Sequence, residues 1–241
     1  MSTTTEETIS IADGPELRLR GPSDAPVVMV FGGSTHRDAE GTWSPTGEWL
    51  ARRLSSGRDA WRTVEVRYRR SSWQRLEASL SDGALAIDAV RGLGSPARVA
   101  VGFSLGGAVA VGVADDPDLV GVIGLAPWLP PRIDLRRLEG RRLRLLHGTL
   151  DARPAGVPGI PASATEWAAG RARDLGVDVE YTPVVGGVHG LAVRAPWGGL
   201  LRLPRAGRWA SLVRGELRRL RHGIPSVTAS APGGARRRVG T

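Results

Sequence analysis

The chain has no cysteine, no lysine and no asparagine, and each absence narrows what it can be. Without cysteine there is no disulfide framework, no thiolate metal site and no cysteine nucleophile. Without lysine, all 33 basic residues are arginine. Lysine and asparagine are both read from A/T-rich codons, so their joint absence points to a GC-rich genome whose mutational bias supplies arginine. The net charge of +9 is therefore a weak sign of a polyanion partner. RGELRRLRHG (214–223) and ARRR (235–238) are expected to form a solvated helix face and a basic tail rather than a nucleic-acid footprint. Histidine is scarce too. His36, His147, His189 and His222 are widely spaced and form no HxxxH pair, so no metal and no other cofactor is expected. No apolar run approaches the roughly 18–20 residues that span a bilayer. The start, MSTTTEETISIADG, has neither the basic nor the apolar region of a secretory signal, so no membrane partner and a cytoplasmic location are expected.

What is present is an alternation of two patterns. Short apolar runs of the kind buried on both faces occur at PVVMVF (26–31), RVAVGF (98–103) and LVGVIGLAPW (119–128). ELRLRG (16–21), WRTVEVRYR (61–69), RLRLLHG (142–148) and VDVEYTPVV (177–185) complete the strands, the last of these closing the series. Helical spacing fits 42–54, 79–93, 105–114, 164–176 and 205–222. This alternation predicts an α/β fold with a mostly parallel central sheet and helices on both faces. Residues 1–10 are expected to be disordered, 11–223 to form one domain, and 224–241 to be a flexible basic tail. Nothing in the residues fixes an oligomeric state.

The chemistry centres on VGFSLGG (101–107). A serine between glycines, on a sharp turn from strand to helix, is the form of a nucleophile elbow, and the flanking runs supply that context for Ser104. The Leu105 backbone N–H, at the start of the following helix, points toward developing negative charge. A serine hydroxyl needs a base, and the acid and base of such a site follow on loops after later strands. Asp151 lies just past RLRLLHG, and His189 just past VDVEYTPVV. The second oxyanion N–H is expected from Gly33 or Ser34, in the glycine-rich turn after PVVMVF.

Over about residues 16–222 these features resemble the α/β-hydrolase superfamily. GFSLGG, HGTLD and LGVDVEYTPVVGGVHGL are similar to its small dienelactone-hydrolase-like members. The resemblance implies a Ser–Asp–His triad of Ser104, Asp151 and His189, with Gly33 and Leu105 as oxyanion donors. Two departures stand out: dienelactone hydrolases proper carry a cysteine nucleophile, and the usual histidine beside the oxyanion loop is here Phe31. The interval from Pro127 to Arg142 is too short for a lid domain, so an open site is expected. Ser34, Trp43, Trp128 and Trp197 are candidate substrate contacts. The reading is a serine hydrolase of small-molecule carboxylic esters or thioesters. Its alternatives are an acyltransferase with the same triad, or a non-catalytic binding module with an arginine-rich surface.

Overall fold

The computed structural model describes residues 6–34, 38–94, 96–151 and 159–222. The first half comprises β1 (Glu6–Ser10), β2 (Glu16–Arg20), β3 (Val27–Phe31), β4 (Ala39–Glu40), α1 (Pro45–Leu54), β5 (Arg62–Arg67), β6 (Arg70–Ser71) and α2 (Leu76–Gly92). Then come β7 (Ala97–Phe103), α3 (Leu105–Gly112), β8 (Gly121–Leu125), β9 (Arg142–Gly148), α4 (Ala162–Asp174) and β10 (Asp178–Val184). A hairpin of β11 (Ala192–Arg194) and β12 (Leu200–Arg202) precedes α5 (Ala206–His222).

Eight strands form one sheet in the order β1-β2-β5-β3-β7-β8-β9-β10. The first two pairings are antiparallel, and every pairing from β5 to β10 is parallel. Period-two alternation divides each strand between two cores. Val27, Met29 and Phe31 of β3 join the cluster packed under α2, α3 and α4. Val28 of β3, with Val99, Val101, Ile123 and Leu125, faces the layer that holds α1 and α5. Each fully buried Leu or Phe contributes roughly 1.5–3 kcal/mol. The sheet and its two helical layers are the α/β-hydrolase fold, with no lid in evidence among the described residues. Between β8 and β9 there is only a short 3-10 turn, Leu135–Leu138. Among the described residues no helix is long and apolar enough to cross a membrane.

Two expectations are corrected. Of the first ten residues, Glu6–Ser10 are not disordered: they pair with all of β2. EETIS gives no apolar signal because β1 is an edge strand held mainly by backbone ladder bonds. Strand β10 is not the last, since β11 and β12 follow and pack on α1. At three residues each they are too short to show a period. The β4–β6 ribbon is shorter still. The expected tail at 224–241 lies outside the described residues.

The outer antiparallel strands bury charge. On the α1 side of the sheet, Arg18 makes paired bonds to Glu65 (Nε to Oε2, 3.2 Å; Nη2 to Oε1, 3.0 Å) and reaches Glu48 of α1 at 3.3 Å. Arg20 contacts the same Glu65 and also Glu6 of β1 at 2.8 Å. At the opposite edge, Pro183 sits inside β10, where a residue without an N–H is tolerated because no strand lies beyond it among the described residues. Removing one partner from a buried ionic cluster strands the others without compensation. Glu65→Ala is therefore expected to destabilise the protein by about 3–5 kcal/mol, read as a lowered urea midpoint.

Candidate active site

Strand β7 ends at Phe103, and the next residue turns the chain into α3. Ser104 adopts φ 53° and ψ −118°, a region that side-chain-bearing residues avoid. Such a conformation costs of order 1–3 kcal/mol and persists only where its surroundings fix it. Here they do. The Ser104 N–H donates to Leu125 O at 3.1 Å, and Ser104 O accepts from Gly107 N at 2.9 Å and Trp128 N at 2.8 Å. Strand β8 and the segment after it thus hold the turn from both ends. The glycines are needed for crowding rather than for φ: a Cβ on Gly102 would meet the Gly106 carbonyl, and one on Gly106 would meet the Phe31 carbonyl.

Asp151 lies on the turn beyond β9, with its N–H on Gly148 O at 3.2 Å. Its buried carboxylate accepts from Ile160 N through Oδ1 (3.1 Å) and from His189 Nδ1 through Oδ2 (2.8 Å). Burial pushes the Asp151 carboxyl upward, but hydrogen bonds from His147 and His189 outweigh it and hold the group below the ordinary carboxylate range. The loops carrying Asp151 and His189 are laced together by Thr149 N to Val184 O (3.1 Å) and Leu150 N to Gly187 O (2.9 Å). The approach is so close that a Cβ on Gly148 would collide with the Gly187 carbonyl.

Phe103 is a wall common to the parts. Its ring centroid lies 4.9 Å from that of His189. A Cβ on Gly33 would fall 3.0 Å from the same ring and 3.2 Å from the Ser104 Cβ. The Gly32–Ser34 turn, Ser104 and the Asp151–His189 pair therefore meet at the carboxyl ends of the parallel strands, the usual site position in open α/β sheets. Tyr68 Oη donates to Gly32 O at 3.3 Å and steadies that turn. Leu105, the first residue of α3, is wholly buried, with its N–H among the helix's terminal amides.

The tryptophans separate. Trp128 lies beside the elbow through its bond to Ser104 O, and its ring stacks on Trp73 at 6.2 Å. Trp43 carries the Arg18 guanidinium over its face at 4.2 Å. Trp197, 75% exposed, sits between β11 and β12. His36 lies outside the described residues.

Two residues at the site were not anticipated. Thr46, in the first turn of α1, accepts from Leu191 N at 3.0 Å and bonds Ala192 O at 3.3 Å, so it fastens the chain just after His189. Its sequence signal is nil, because the partner lies far along the chain. The other is His147 on β9, fully buried, with Nε2 3.1 Å from Asp151 Oδ2. A histidine on a face otherwise set by Leu143 and Leu145 was the available clue. Both its ring nitrogens are engaged, Nδ1 by Thr165 Oγ1 and Nε2 by Ile160 O, each at 2.8 Å.

The sequence matches no protein-family model and no curated protein. Solved structures do resemble it. A dienelactone hydrolase-like promiscuous phosphotriesterase from metagenomic libraries superposes with TM-score 0.66 at 16% identity, over 89% of this chain and 97% of that one. Dienelactone hydrolase from Anabaena variabilis gives 0.65 at 14% identity, over 90% and 98%. A thermophilic esterase from Thermogutta terrifontis gives 0.59 at 19% identity, over 96% and 95%.

Relief of the elbow's backbone is measurable. Ser104→Gly is expected to raise stability by about 1 kcal/mol, the strain removed less the added unfolded-state entropy of glycine. Ser104→Ala, which keeps the Cβ, should give no such gain when both are compared by urea unfolding.

Proposed function

We propose that the chain is a serine hydrolase of small-molecule carboxylic esters, thioesters included. The observation that carries this reading is a strained serine between strand and helix, next to Phe103, whose ring packs on a histidine bonded to a buried aspartate. The esterases and dienelactone hydrolases among its structural neighbours support the same class.

In the proposed reaction, Ser104 Oγ attacks the acyl carbon while His189 Nε2 takes the hydroxyl proton. Asp151 holds the Nδ1–H tautomer through its 2.8 Å bond and stabilises the imidazolium as it forms. The oxyanion is received by the Leu105 and Gly33 N–H groups. As the tetrahedral species collapses, His189 returns the proton to the departing alkoxide or thiolate, leaving the acyl group on Ser104. Water then attacks the acyl-enzyme, giving its proton to His189. Collapse releases the acid, and His189 restores the serine proton. No metal or organic cofactor takes part in these steps. The short Pro127–Arg142 connection, with only a 3-10 turn in it, leaves the site uncovered from that side, which favours small substrates bound from solvent, with Ser34 and Trp128 as their contacts.

A fluorophosphonate probe tests the reading without knowledge of the substrate. Stoichiometric labelling of wild-type protein should map to Ser104 by mass spectrometry. In Ser104→Ala and His189→Ala, turnover of a simple activated ester should fall by about 10⁴-fold or more. Labelling at another residue, or labelling indifferent to His189, would overturn the assignment.

A further inference from the structure

We infer that His147 is a positioning residue for this reaction, fixing from the buried side the carboxylate that orients His189. The inference rests on the hydrolase reading above and adds a residue to it.

His147 Nε2 faces two acceptors, Ile160 O at 2.8 Å and Asp151 Oδ2 at 3.1 Å. An imidazole nitrogen between two acceptor oxygens carries a proton, so Nδ1 is the nitrogen that accepts from the Thr165 hydroxyl. Ile160 closes the figure, because its N–H donates to Asp151 Oδ1 at 3.1 Å while its carbonyl takes the His147 proton. Two hydrogen bonds and the 3.1 Å contact of His147 Nε2 with Asp151 Oδ2 thus link Asp151, Ile160 and His147 in a ring. A carboxylate bound at one oxygen can still turn about its Cβ–Cγ bond. Held at Oδ1 by Ile160 and at Oδ2 by His147, the Asp151 group has its plane set independently of His189. The ring is fastened to the body of the protein through Thr165, in the first turn of α4. His147 itself is 0% exposed with both nitrogens used, which excludes it as the base and leaves it a supporting role.

Among the described residues, the titratable groups bonded to the Asp151 carboxylate are His147 from β9 and His189 from the loop after β10. Both bonds work against the upward push of burial on the carboxyl. With the His147 bond removed, the Asp151–His189 pair binds its proton more tightly, and the acid limb of activity moves to higher pH.

The experiment follows ester hydrolysis from pH 5 to 9 in wild type, His147→Phe and His147→Gln, with circular dichroism confirming folding. His147→Phe keeps a ring and loses both nitrogens. It should lose about tenfold in kcat, with KM within about twofold and the acid limb raised by about half a pH unit. His147→Gln, whose amide N–H reaches the same acceptors, should recover most of the loss. A folded His147→Phe with wild-type kcat and an unmoved acid limb would overturn the proposal. If His147→Phe does not fold, ¹⁵N-histidine spectra of wild type at pH 8 decide instead. An Nε2–H tautomer at His147 supports the role and an Nδ1–H tautomer overturns it. Wild-type protein that fails to react at Ser104 would overturn the hydrolase reading itself. A labelled wild type with an indifferent His147→Phe removes His147 alone.

Discussion

The carboxyl edge of the sheet is organised by the contact between the first turn of α3 and the end of β3, where Gly106 lies directly against the Phe31 carbonyl. Only a backbone with no side chain fits there, and the approach draws α3 down onto the strands. The turn that joins β7 to α3 must then be sharp, and Ser104 takes up the angle. The same closeness sets Gly33 beside Ser104 and Phe103. Phe103, displaced toward the last loops, supplies a surface for the His189 ring. A local steric requirement is thereby converted into the juxtaposition of three loops that are remote in sequence.

Asp151 and His189 are fixed by different means. The His189 loop is bound to the Asp151 turn by main-chain hydrogen bonds, and its far end is fastened by Thr46. Asp151 is held from beneath by His147 of β9, itself bonded to Thr165 of α4, and by the Ile160 N–H. The imidazole of His189 is held by its bond to the carboxylate and its contact with the Phe103 ring. Rigid surroundings of this kind reduce the reorganisation that a charge-forming step would require.

Much of this was legible from the residues. PVVMVF and RVAVGF read as doubly buried strands because every position meets a core, and β3 is buried along its whole length. The glycines of VGFSLGG flagged the elbow for the reason the structure displays, close backbone approach. Asp151 and His189 were identifiable by their places after successive strands, and they are hydrogen-bonded in the structure. Most of what escaped notice had no local signature. β1 is polar and paired on one side alone; β11 and β12 are three residues each. Thr46 acts on residues 145 and 146 positions away, and His147 acts through Ile160 and Thr165, neither of which stands out in a periodic pattern. The tryptophans, whose abundance suggested a wall, sit in unlike settings: Trp43 is engaged by an arginine and Trp197 projects into solvent.

Strand β10 closes the sheet on the side away from β1, and its composition governs how molecules of this protein can meet. Pro183 interrupts the row of donors that a further strand would need. Asp178 and Glu180, bridged to Arg142, add fixed charge along the same border. Such a border resists edge-to-edge extension. Growth of the sheet from one copy into the next is thus blocked at this end, and self-association here must proceed through helices or loops, not through shared strands.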